Sequence, residues 1–197
     1  MANGMSATRR IAADALFTAL ALIMFLIENL FPPLFFPGAK MGLSNIFSLA
    51  ALVLFSPVDA FAVVVVRSLL GAAFAGNFSA VMYSFSGGVT AMLVSSVLMY
   101  AVYPRISLMS VSIAAAVVHN IMQTLVAAAW QSAAVFAYMP YLALIGVFSG
   151  AAVGAVVMLI FKRVPLSVYE KFICRKRALR TGEQDCPHEE DGAERGG

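Results

Sequence analysis

The sequence is poor in charged residues. Asp, Glu, Lys and Arg make up 12% of its 197 residues, against about 25% in an ordinary soluble domain. Hydrophobic residues make up 61%, and the mean hydropathy is +0.89. A soluble fold of this length has too little interior to bury so much apolar surface. The composition therefore excludes a soluble domain and predicts an all-α, polytopic membrane protein.

Cysteine is also scarce, and the chain lacks the spacing of a closed zinc site and the motif of a P-loop. Cys174 and Cys186 both lie in the polar C-terminal tail, so no disulfide framework is predicted, and with His188 their spacing fits no closed zinc site. A phosphate-binding P-loop is absent, so any ATP hydrolysis must come from another protein. No cofactor and no catalytic residue is predicted.

The net charge of +3 comes from cations near the two ends of the chain. Arg9 and Arg10 precede the first apolar segment, and Lys162 and Arg163 follow the last. This is the pattern of the positive-inside rule, and it does not indicate nucleic-acid binding. It predicts a protein of the inner or plasma membrane with both termini in the cytoplasm.

Apolar segments of membrane-spanning character predict six transmembrane helices. The first is read as a retained span, because no signal-peptide cleavage site follows it. The domain prediction is a short N-terminus at 1–10, a six-helix domain at 11–163, an amphipathic cytoplasmic helix at 164–180 and a disordered acidic tail at 181–197. The predicted spans are 11–30, 41–55, 60–75, 80–102, 106–130 and 141–161.

A small set of polar residues interrupts these spans. Ionisable groups in hydrocarbon cost on the order of 2.5–3.5 kcal/mol each on insertion scales, so they usually face a cavity or a partner. His119 and Gln123 are i, i+4 neighbours and share one helix face. We expect a polar, externally open pocket for a small solute in the outer half of the bundle. Its predicted binding residues are Glu28, Lys40, Asn45, Arg67, Ser86, His119, Asn120 and Gln123.

The proline-rich segment before Lys40 cannot continue a helix. We predict that it forms a gate over the pocket, with Phe31, Phe35, Phe36 and Gly38 as the gate residues. Arg67 and Lys40 favour an anionic or strongly hydrogen-bonding solute. Two alternatives remain open: a purely structural ion pair of Glu28 with Arg67, and a purely structural hydrogen bond from His119 to another helix.

Small residues form two strips that permit close helix contact. Gly146, Gly150 and Gly154 recur every four residues, and packing within the bundle is the favoured interpretation. Ala15 and Ala19 form a smaller strip on the first span. Packing within the bundle and docking against a partner protein both remain open for the alanines.

Several of these motifs occur in the order found in a known family. They are the run from 37 to 46, Arg67 followed by Gly71, the sequence Ser-Phe-Ser-Gly-Gly at 84–88, and His-Asn-Ile-Met-Gln at 119–123. Over roughly 11–161 the chain resembles heptaprenyl diphosphate synthase component I, also called the Gx transporter family. That family is similar to the substrate-binding S components of energy-coupling factor transporters.

The resemblance to S components implies a six-helix protein that captures a vitamin-like solute. It also implies that the 31–40 loop is the gate and that Ala15 and Ala19 dock on a transmembrane coupling protein driven by two ATPases. The favoured prediction is therefore the substrate-capture subunit of an ATP-driven importer.

Two alternatives to the importer remain. The chain has no clustered aspartates to hold Mg²⁺ against a diphosphate, since its aspartates are Asp14, Asp59, Asp185 and Asp191. It can therefore serve a prenyl synthase only as a non-catalytic membrane accessory. The second alternative is an ion-coupled secondary transporter using Glu28 or His119.

Overall fold

The computed structural model describes residues 7–30, 42–75, 78–103 and 105–162. These residues form six α-helices and no strand. A π-helical turn, Leu98–Val102, extends α4, and a 3₁₀ helix, Ala133–Tyr138, precedes α6. The helices are α1 Ala7–Leu30, α2 Asn45–Leu54, α3 Pro57–Ala75, α4 Phe78–Val97, α5 Leu108–Trp130 and α6 Met139–Lys162.

Five of the described helical segments are long and apolar enough to cross a membrane. The predictions of an all-helical fold and of several membrane-type helices are confirmed. The exception is α2, which has 10 residues and is about 15 Å long, half of a hydrocarbon core of about 30 Å. The prediction of a span at 41–55 is therefore corrected to a short helix, which begins only after a turn at 42–44.

The short helix lies at the centre of the bundle. It packs against α1, α3, α4 and α6, and its residues from Ser48 to Val53 are all buried. A helix that is apolar on every side has to be covered on every side, which explains why the fold encloses α2. The main core cluster forms around it, with Leu52, Val63, Met92 and Val111 among its buried members.

The glycines of α6 bring it against α5. A Cβ added at Gly150 would lie 2.6 Å from the Cα of Ile113, and one at Gly154 would lie 2.9 Å from the Cα of Met109. At Gly146 it would lie 3.0 Å from the Cα of Val117. The glycine strip is thus used for packing within the bundle, as predicted, and α5 and α6 form the most extensive helix pair.

One ion pair fastens α1 to the start of α3. The guanidinium of Arg10 lies 2.6 and 2.8 Å from the carboxylate oxygens of Asp59 and also donates to the hydroxyl of Ser56 at 3.1 Å. Asp59 is 7% exposed and Arg10 is 36% exposed. The contact places the beginnings of α1 and α3 at the same end of the bundle, where α4 passes into α5 and α6 ends.

We expect Arg10 and Asp59 to be energetically coupled. In a double-mutant cycle, Arg10→Ala, Asp59→Ala and the double variant should give a coupling free energy of about 1–2 kcal/mol, because the pair is bidentate but its arginine is partly exposed. Thermal unfolding in mild detergent measures it. Arg105→Ala, at an exposed arginine of the same end, is the control and should show no coupling to Asp59→Ala. Additive effects of Arg10→Ala and Asp59→Ala would contradict the prediction.

A buried polar cluster at the start of the short helix

The turn before α2 needs glycine at its first described residue. Gly42 has a φ of +79°, a backbone conformation that side-chain-bearing residues rarely adopt. The backbone N–H of Asn45 donates to the carbonyl of Gly42 at 2.9 Å, and the backbone N–H of Ile46 donates to the carbonyl of Leu43 at 3.1 Å. These bonds close the turn and start the helix inside the bundle.

Two charged side chains on different helices hold this turn. The carboxylate of Glu28, on α1, accepts the backbone N–H of Leu43 at 2.9 Å. The guanidinium of Arg67, on α3, donates to the hydroxyl of Ser44 and to the amide oxygen of Asn45, the latter at 3.3 Å. Glu28 and Arg67 also interact electrostatically with each other. The two charges that interrupt the apolar sequence thus meet at one turn.

A glycine pair on α4 lets α3 and α5 approach the same place. A Cβ at Gly87 would lie 2.9 Å from Cε1 of His119 and 3.1 Å from Cγ of Gln123. A Cβ at Gly88 would lie 3.1 Å from Nη2 of Arg67. The missing side chains therefore create the space that these three polar residues occupy.

His119 also reaches the turn. Its Nε2 and Cδ2 would each lie 3.8 Å from a Cβ at Gly42, and Nδ2 of Asn45 would lie 3.1 Å from it. We call Glu28, Ser44, Asn45, Arg67, His119 and Gln123 the polar cluster. Sequence reasoning expected all but Ser44 at one site.

The polar cluster lies about halfway along α3 and α5. Arg67 is about 15 Å along α3 from Pro57, and His119 is about 16 Å along α5 from Leu108, at 1.5 Å per residue.

A cavity of about 20 Å³ lies beside the cluster. It has room for about one water molecule. The hydroxyl of Ser48 is buried without a hydrogen-bond partner among the described residues. A larger ligand requires movement of the elements around the cavity. Its polar and glycine lining comprises Gly42, Asn45, Ser48, Gly88, Ser95 and Ser112.

Two predicted binding residues use their side chains elsewhere. Ser86 donates its hydroxyl to the carbonyl of Met82 at 2.6 Å, within its own helix. Asn120 donates its amide to the carbonyl of Leu142, on α6, at 2.8 Å. Asn120 therefore faces the α5–α6 contact, whereas His119 and Gln123 face the glycines of α4.

The remaining predicted residues are either exposed on α1 or absent from the described part of the chain. Ala15 and Ala19 are exposed on α1, a position open to lipid and to a protein partner alike. Lys40 and the gate residues Phe31, Phe35, Phe36 and Gly38 lie outside the described residues, as do the predicted amphipathic helix and acidic tail. Within the described ranges, no group of three or more His, Cys, Asp or Glu residues could hold a metal ion.

Sequence reasoning missed the serines of the site. Ser44 bonds to Arg67, while Ser48, Ser95 and Ser112 line the cavity. Serine is common in membrane helices, so its presence alone carried no signal. The spacing of two of them did carry a signal. Ser95 follows Gly88 by seven residues and Ser112 precedes His119 by seven, so each serine lies on the same helix face as a residue of the site.

These features define a class: an α-helical protein with several membrane-type helices and a buried, charged cluster at the start of a short central helix. A sequence model of the family described as heptaprenyl diphosphate synthase component I matches residues 17–160. The chain belongs to that family, as the motif resemblance predicted. No curated protein matches the chain. Component I is a non-catalytic part of the synthase, in agreement with the prediction that this chain is not an enzyme.

Proposed function

We propose that the protein is the non-catalytic membrane subunit of a heptaprenyl diphosphate synthase. The observation that carries the proposal is the family match over residues 17–160, which contain α2 to α5 and the whole polar cluster. This changes the order of preference reached from the sequence, where the importer was placed first and the synthase accessory second.

The carboxylates support a division of labour between subunits. Within 11–163 the acidic residues are Asp14, Glu28 and Asp59. Asp59 is engaged by Arg10 and Glu28 by the amide of Leu43. Prenyl chain elongation needs clustered aspartates that hold Mg²⁺ against a diphosphate. A partner subunit has to supply them, while this subunit holds the synthase at the bilayer that receives its apolar product.

The membrane topology of the proposal is the one predicted from charge. The end of the bundle that carries Arg10, Arg105 and Lys162 is the cytoplasmic end, by the positive-inside rule. Both termini lie there, in the inner or plasma membrane, and six helices with α2 as the short one form the domain. A soluble synthase subunit then has access to this end and to the basic segment at 164–180.

A second candidate is the substrate-capture subunit of an ATP-driven importer. The polar cluster favours it, because Nε of Arg67 and Nε2 of Gln123 are buried without a hydrogen-bond partner among the described residues. In that case the partners are a transmembrane coupling protein, docked at Ala15 and Ala19, and two ATPases. The solute enters past the 31–40 segment. Ion-coupled secondary transport is a weaker third candidate, since it rests only on the positions of Glu28 and His119.

Affinity capture from native membranes separates the candidates. The tagged chain is purified in mild detergent, and its partners are identified by mass spectrometry. We expect a soluble prenyl synthase subunit with its own aspartate-rich motifs, and prenyl transfer activity in the captured complex but not in the chain alone. Recovery of a coupling protein with two ATPases, and no synthase, would instead establish the importer. A tagged, unrelated membrane protein expressed to the same level is the control.

A further inference from the structure

Arg67 is a buried charge whose hydrogen bonds within the described part of the chain go to neutral groups. It is 1% exposed, and its acceptors are the hydroxyl of Ser44 and the amide oxygen of Asn45. Its Nε is buried and has no acceptor among the described residues. A guanidinium has five N–H donors in a planar fork that matches carboxylate and phosphate oxygens. A charge this deeply buried calls for an anionic acceptor on the unused edge.

The surrounding sequence supplies little negative charge for this role. Asp14 and Asp59 lie toward the end of the bundle fastened by Arg10. Glu28 remains, and it interacts electrostatically with Arg67 while accepting the amide of Leu43. The sequence at 31–41 contains no acidic residue. Among the described residues, Glu28 is therefore the one carboxylate near Arg67, and it already accepts the amide of Leu43.

Two further donors in the same region lack a partner in the described part of the chain. The hydroxyl of Ser68 is buried, and a Cβ at Gly88 would lie 3.9 Å from it and 3.1 Å from Nη2 of Arg67. Nε2 of Gln123 is buried as well, and Cγ of Gln123 lies against Gly87. Buried donors of this kind are normally satisfied by a protein group, a water or a ligand. Arg67, Ser68 and Gln123 thus have more hydrogen-bond donors than the protein has acceptors near them. An anion with several acceptor oxygens would satisfy them.

We propose that the polar cluster is a buried oxyanion site in which Arg67 binds a phosphate or carboxylate group, with Ser68 and Gln123 as additional donors. The cavity beside it, of about 20 Å³, is too small for such a group. Binding therefore requires a shift of neighbouring elements. Arg67 also donates hydrogen bonds to Ser44 and Asn45. A shift of the guanidinium on binding would therefore also shift the turn at 42–45.

The oxyanion has two possible sources with the same chemistry. One is the diphosphate of a prenyl chain, a choice that rests on the proposed role in the synthase. The other is a free small anion, which is independent of that role. The length of the apolar chain distinguishes them, because only the first source gains from a prenyl tail in the membrane.

Thermal unfolding of the purified full-length chain in detergent tests the site. The probes are sodium diphosphate, sodium acetate and farnesyl diphosphate, with farnesol and an equal ionic strength of sodium chloride as controls. We expect at least one oxyanion to raise the melting temperature by about 2 °C or more at saturation. Farnesyl diphosphate acting at far lower concentration than diphosphate indicates a prenyl ligand, and equal potency indicates a free anion.

Variants locate the effect. Arg67→Gln should abolish the stabilisation and Gln123→Leu should weaken it at least threefold in apparent affinity, while Arg105→Gln, at an exposed arginine, should retain it. If Arg67→Gln does not fold, Ser68→Ala and Gln123→Leu decide, and both must weaken binding. The proposal is overturned if no oxyanion stabilises the wild type, or if the stabilisation is the same in the cluster variants as in Arg105→Gln. Capture of a synthase is scored independently, so either result can fail alone.

Discussion

Gly150→Val is expected to prevent stable packing of α6 against α5. A Cβ at this position would lie 2.6 Å from the Cα of Ile113 and 2.9 Å from the carbonyl oxygen of Ser112. Backbone atoms cannot rotate away as a flexible side chain can, so the two helices have to separate. Overpacking usually costs about 1–3 kcal/mol, and a clash with backbone belongs at the upper end. We expect the melting temperature to fall by about 5 °C or more.

The measurement is thermal unfolding in mild detergent, followed by fluorescence size exclusion. Ala152→Val is the matched control, because Ala152 lies on the same helix but is exposed. It adds the same branched side chain without a clash, and its melting temperature should stay within about 1 °C of the wild type. A Gly150→Val protein as stable as the Ala152→Val control would show that the α5–α6 contact is looser than the structure indicates.

Arg67→Lys is expected to lower the amount of heptaprenyl product at least tenfold relative to the wild type, although it keeps the positive charge. A lysine has its donors on a single nitrogen, so it cannot hold both Ser44 and Asn45 as the forked guanidinium does. The turn before α2 would then lose one of the two side chains that position it. Arg67→Met, which removes the charge and keeps the length, should lose function to a similar extent.

The measurement assumes the proposed role in the synthase and uses cells that lack the native gene. The amount of heptaprenyl product is compared for each variant at equal membrane levels of the protein, checked by immunoblot. Arg105→Lys, at an exposed arginine, is the control and should support the wild-type amount. Full output from Arg67→Lys would show that the positive charge alone is sufficient and that the fork geometry is not used.

Sequence reasoning predicted the long helices well because the periodicity and length of apolar segments report on lipid contact directly. It failed at α2 because burial inside a bundle and exposure to lipid both select apolar residues. The run at 41–55 therefore looked like a span. The signal that corrects it is Gly42, whose positive φ breaks the helix and moves its start to Asn45.

The candidate site was predictable where the residues are rare in membranes. Arg67, His119 and Gln123 were expected to converge because each is costly in hydrocarbon, and the structure brings them to Gly87 and Gly88. Asn120 shows the limit of that reasoning. It is as polar as its neighbours, yet one residue of helix rotation turns its amide to the carbonyl of Leu142.

The ion pair of Arg10 with Asp59 was not predicted at all. The sequence marked Arg10 as a topology signal and left Asp59 between two predicted spans, and both interpretations are local. Nothing local indicates that the start of α1 lies beside the start of α3. Contacts between residues distant in sequence depend on how the helices are arranged, which one sequence does not specify.

The π-helical turn at Leu98–Val102 allows the deletion of one residue that the other turns of α4 do not allow. The amide of Tyr103 donates to the carbonyl of Leu98, five residues back, at 3.0 Å. This widened turn holds one residue more than an α-helical turn. Removing one residue there would convert it to an ordinary α-turn and leave α4 facing as it does now. A deletion within α4 would instead rotate the two parts of the helix on either side of it by about 100° relative to each other, so changes in chain length are most easily accommodated at this turn.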